Sequence, residues 1–133
     1  MRRLRVLCIA LLLGSCFPFG EGERTIIGNF ALVRWEGGSK YYIVRSGEKV
    51  NGGGLLNGSV TRLAWSDNYI IAQCKPTFNG DVYGWMVIDV AKGTVTGPSE
   101  LQESALRDSL QSTMMRSIAP SEAWQKLDPT PTH

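Results

Sequence analysis

A chain of 133 residues, 43% hydrophobic and 20% charged, has the size and composition of a single domain built on one core. Its net charge of +2 is not gathered into a Lys/Arg patch on any later segment, so nucleic-acid binding by phosphate neutralisation has no support. The one histidine is His133, which removes Ser-His and Cys-His pairs and the common zinc sites from the candidate chemistries.

The first predicted element is a signal peptide over residues 1–15. Arg2, Arg3 and Arg5 make a basic start, residues 6–13 are an apolar run, and Gly14 and Ser15 are the small residues a signal peptidase requires. The run is too short for a permanent membrane span, which takes roughly 20 apolar residues. Leu13-Gly14-Ser15-Cys16 resembles the lipobox of bacterial lipoproteins, which are cut just before the cysteine. The resemblance implies cleavage between Ser15 and Cys16, and a diacylglyceryl thioether on the Cys16 sulfur. It also implies a domain held outside the cytoplasm with a membrane as its partner, in the cell envelope. Two or three acyl chains anchor a protein firmly where one is marginal.

Loss of Arg2, Arg3 and Arg5 from the 14 Lys+Arg leaves 11 against 12 Asp+Glu, so the processed chain is expected to be slightly acidic. Cys8 falls inside the signal and Cys16 becomes a thioether, which leaves Cys74 unpaired. With no histidine in reach to stabilise a thiolate, Cys74 is expected to be a small buried side chain.

Residues 16–24 are expected to be the lipidated cysteine and a tether, and residues 25–127 a single domain. Runs rich in Val, Ile, Trp and Tyr predict strands over 30–35, 41–45, 60–65, 69–74 and 85–90. Turn signals such as Glu36-Gly37-Gly38-Ser39, Ser66-Asp67-Asn68, Asn79-Gly80-Asp81 and Ala91-Lys92-Gly93 separate them, and their short spacing favours antiparallel hairpins. A weak internal repeat relates Asn29-Phe30-Ala31-Leu32-Val33 to Asn68-Tyr69-Ile70-Ile71-Ala72, and Tyr42-Ile43-Val44 to Trp85-Met86-Val87. The offsets are 39 and then 43 to 45 residues. That period is the length of a propeller blade, but two copies cannot close a ring of four or more.

Beyond Pro98, Ser99-Glu100-Leu101-Gln102 fits a capping box and predicts a helix start. Leu101, Ala105, Leu106, Leu110 and Met114 would give the helix one apolar stripe, and Glu103 with Arg107 an i,i+4 ion pair. A short second helix is expected over 121–127 with Trp124 toward the core. The tail, 128–133, has two prolines and is expected to be disordered. The fold class is therefore α+β: an antiparallel β-meander sheet or small sandwich of two blade-like units, then one amphipathic helix and a short C-terminal helix.

Residues 60–71, 84–89 and 93–98 resemble segments of small bacterial lipoproteins whose domain has no assigned function. That resemblance implies address and size and carries over no catalytic residue. Asp67, Asp81 and Asp89 are the carboxylates that could serve acid-base chemistry or a weak calcium site, yet each sits at a turn position where Asp favours backbone hydrogen bonding. No catalytic residue, metal site or cofactor is expected. Trp35, Tyr41, Phe78 and Tyr83, aromatic and beside loops, are the candidate recognition rim. The expected role is a membrane-anchored, non-enzymatic interaction or accessory module with an envelope protein as partner. The alternatives are a small carboxylate-dependent hydrolase or carbohydrate-active enzyme, which needs no histidine, and a subunit of a larger β-assembly.

Overall fold

Hairpin turns only a few residues long force successive strands to run antiparallel and to pair in the order of the chain. A computed structural model describes residues 22–48, 54–76, 84–111 and 113–130. Strands β1 (Glu23–Ile27), β2 (Phe30–Trp35) and β3 (Lys40–Arg45) form one sheet. Strands β4 (Gly58–Trp65), β5 (Tyr69–Pro76), β6 (Gly84–Asp89) and β7 (Thr94–Ser99) form a second. Helices α1 (Glu103–Ser109) and α2 (Pro120–Lys126) follow. The β1–β2 turn needs Gly28 twice over: its φ is +58°, and a Cβ there would lie 3.0 Å from Val90 Cγ1, between β6 and β7.

Alternation along the strands sorts the apolar residues into layers. Phe30, Leu32 and Ile43 of the first sheet join Leu63, Ile70 and Ile88 of the second in one cluster, to which α2 adds Ala123 and Trp124. On the other face of the second sheet Ile71, Trp85 and Val87 pack with Leu106 of α1 and with Met114. The two meanders are thus separate sheets sharing a core.

The repeat seen in the sequence falls on equivalent strands, β2 with β5 and β3 with β6. Leu32 pairs with Ile43, and Ile71 with Val87. The first pair faces the shared core and the second faces α1, whereas Met86, the counterpart of Ile43 in the repeat, faces the shared core, so the repeat matches strands without matching the faces they present. Helix α1 covers the outer face of the second sheet.

Both sheets have an edge closed by the later chain, which removes a template for unwanted pairing. Leu63 of β4 exchanges backbone hydrogen bonds of 2.9 and 2.8 Å with Ile118. At β1, Thr25 N–H donates to Asp128 O at 3.2 Å and Thr130 N–H donates to Glu23 O at 2.9 Å.

Three expectations are revised. Glu23 and Arg24, read as tether, belong to β1. Residues 128–130, read as disordered tail, are held against that strand. Pro129 is tolerated because it stands opposite Arg24 between the two hydrogen-bonding positions, where no N–H is needed. The helix predicted from Ser99 begins at Glu103 instead. Pairing of Ser99 with Trp85 keeps it in β7, and its hydroxyl accepts the Leu101 amide at 3.1 Å. Helix α1 ends at Ser109, so Met114 reaches its cluster from a non-helical segment.

Candidate functional site

The polar residues that converge do so where β4, α1 and the segment leading into α2 meet. A β-bulge between Val60 and Arg62 interrupts the β4–β5 register. From there the Arg62 guanidinium crosses to Ser117, the neighbour of the bridging Ile118. Arg62 Nε donates to Ser117 Oγ at 2.8 Å and Nη2 donates to Ser117 O at 2.5 Å. Ser117, only 4% exposed, passes the connection on to α1: its N–H donates to Glu103 Oε2 at 3.0 Å and its hydroxyl donates to Glu103 Oε1. Arg107, one turn along the same helix, places Nε 3.5 Å from Glu103 Oε2, which is the ion pair expected from the i,i+4 spacing.

These side chains, with Gln102 and Arg116, line an open cleft of about 480 Å³, within the size range of small-molecule sites. Three arginines and one carboxylate give the cleft an excess of positive charge. Burial works against ionisation of Glu103, but the Ser117 hydroxyl and amide, with Arg107 and Arg62, outweigh it and hold the carboxyl below its ordinary value. A carboxylate so stabilised is a weak base and a firm clamp. It orients Ser117 and the two arginines and is poorly suited to activating the Ser117 hydroxyl as a nucleophile.

A second recess of about 350 Å³ lies beside the cleft, lined by Leu63, Trp65, Met115, Arg116, Ile118 and Lys126. Arg116 borders both recesses. Met115, one of its lining residues, is 80% exposed, a large apolar side chain left in water.

Of the four aromatic residues proposed as a rim, Trp35 and Tyr41 fall within the described residues, and they differ in burial. Trp35 ends β2 and is 45% exposed. Tyr41 is buried, its ring edge-on to Trp124 at 6.0 Å between centroids, because its register in β3 turns it to the shared core. Phe78 and Tyr83 lie outside the described residues, as do Asp81, Ser15 and Cys16. Asp67 is exposed in its turn, and Asp89 accepts the Lys92 amide at 2.9 Å, serving the β6–β7 turn. Among the described residues no three His, Cys, Asp or Glu side chains are grouped to hold a metal ion, and no helix is long and apolar enough to cross a membrane.

Cys74 on β5 is buried in the shared core, and burial pushes its thiol up to about 12. Iodoacetamide at pH 8 is therefore expected to leave Cys74 unlabelled in the native protein and to label it fully in urea. Mass spectrometry of the peptide containing Cys74 reads the result, and rapid native labelling would contradict it.

The chain matches no protein-family model, no curated protein and no solved structure.

Proposed function

We propose that the chain is a lipid-anchored protein of the bacterial cell envelope whose domain acts as a non-enzymatic binding module. The observation that carries this reading is the amino-terminal sequence, in which three arginines, an apolar run and Leu13-Gly14-Ser15-Cys16 follow one another at the spacing of a lipoprotein signal. Lipid on Cys16 would hold the domain at a membrane surface, where a small recognition module gains from a high local concentration of partners. The polar cleft supports the binding side of the reading. Its carboxylate is committed to fixing Ser117 and two arginines, an arrangement that presents donors rather than performs proton transfer.

Globomycin, which blocks lipoprotein signal peptidase, tests the address. Treated cells producing the chain should accumulate an uncleaved precursor that an immunoblot separates from the mature form, and Cys16→Ala should abolish membrane retention. Processing indifferent to both would remove the anchor.

A further inference from the structure

We infer that the two adjoining recesses form one site for a small organic phosphate monoester, with the phosphate in the arginine cleft and an apolar group in the recess beside it. The inference gives a ligand class to the binding module proposed above and rests on that reading for its biological setting.

Charge argues for the phosphate. Arg62, Arg107 and Arg116 bring three positive charges to the cleft and Glu103 one negative, leaving a surplus that matches the charge of a phosphate monoester, about −1.5 to −2 near neutrality. Donor geometry argues for it as well. Arg62 spends Nε and one N–H of Nη2 on Ser117, which fixes its plane and leaves its remaining N–H groups uncommitted. Arg107 Nε is buried beside Glu103 Oε2 and out of a ligand's reach, so Arg107 contributes only its terminal N–H groups, and no described hydrogen bond or ion pair holds Arg116. Planar guanidinium groups with spare donors recognise phosphate by paired hydrogen bonds, and those fixed beforehand lose less freedom on binding.

Continuity argues for the apolar arm. Arg116 borders both recesses, so a phosphate drawn to it stands at the entrance of the second. Trp65, Ile118 and the exposed Met115 line that recess, the last an adaptable thioether side chain that suits an aromatic or aliphatic group. Lys126 also lines this recess but is paired with Glu122 at 3.8 Å, so the positive charge that draws an anion here is that of Arg116.

Calorimetric titration of the full-length protein in phosphatidylcholine nanodiscs tests the inference with 1-naphthyl phosphate, inorganic phosphate and 1-naphthoate. Naphthyl phosphate should bind about tenfold or more tighter than either fragment. Arg116→Gln should weaken naphthyl phosphate about tenfold. Met115→Ser should weaken naphthyl phosphate and leave inorganic phosphate unchanged. Both side chains are exposed, so neither change threatens the fold. Absence of naphthyl phosphate binding overturns the site, as does affinity indifferent to Arg116→Gln. Naphthoate binding equally well overturns the phosphate assignment, and inorganic phosphate binding equally well overturns the apolar arm. Globomycin-sensitive processing without phosphate binding would leave the address standing and remove only the ligand, whereas the reverse result would remove only the anchor.

Discussion

Replacing Trp124 by Ala is expected to lower the unfolding free energy by about 3–5 kcal/mol. The indole is 4% exposed and is, with the smaller Ala123, what α2 adds to the core shared by the two sheets. It also gathers charge. The Arg24 guanidinium lies 4.8 Å and the Arg34 guanidinium 4.9 Å from the ring centroid, each attracted to the π face, while Tyr41 meets the ring edge-on. Alanine would leave a cavity and, at the same time, two like charges without the ring that holds them. Trp124→Phe keeps a π face and part of the volume, so it should recover a substantial share of the loss. Urea denaturation followed by circular dichroism reads both variants against the parent protein. A loss below about 1 kcal/mol for Trp124→Ala would mean that α2 contributes little to the core.

The elements most legible in the sequence are those whose signal is local. The runs containing Leu32, Ile43, Ile71 and Val87 read as strands because β-branched and aromatic residues cluster between turn residues, and they are strands to within two residues at either end. What escaped depends on partners far along the chain. Glu23 and Arg24 look like tether because a charged, Gly-flanked segment has no strand signature, and only pairing with β2 and with residues 128–130 makes it one. Ser99 carries a good helix-start pattern, yet the ladder with β6 outweighs a local cap. The position of Tyr41 beside a loop suggests a rim, whereas its face is set by strand register, which shifts with a single residue. The cleft was legible only in part. Glu103 and Arg107 announce themselves by spacing, and Thr61-Arg62 interrupts an apolar strand, which hints at the bulge. Nothing local joins them to Ser117, 55 residues from Arg62 and 14 from Glu103.

Glu103 is the residue through which stability and binding in the cleft oppose each other. Glu103→Ala removes the acceptor of the Ser117 amide and hydroxyl, two donors on a residue only 4% exposed, and is expected to cost about 1–3 kcal/mol. Glu103→Gln keeps an acceptor and discards the charge, so it should cost less. The pH dependence separates charge from shape. The carboxyl is held below its ordinary value of 4.5 in the folded state, so the stability it contributes is fully present above that value. That stability is lost as pH falls through the lower folded value. The gap in unfolding free energy between the parent protein and Glu103→Gln should accordingly be widest near neutrality and close progressively below about pH 4.5. A gap that does not change with pH would show that the carboxylate charge is not stabilised by Ser117, Arg107 and Arg62. Phosphate monoester affinity should move the other way. With Gln at position 103 the three arginines face no internal negative charge, and 1-naphthyl phosphate should bind more tightly even as the protein becomes less stable. A site evolved only to hold α1 against β4 would lose stability on this substitution and gain no affinity, and the two measurements taken together therefore decide between scaffold and receptor.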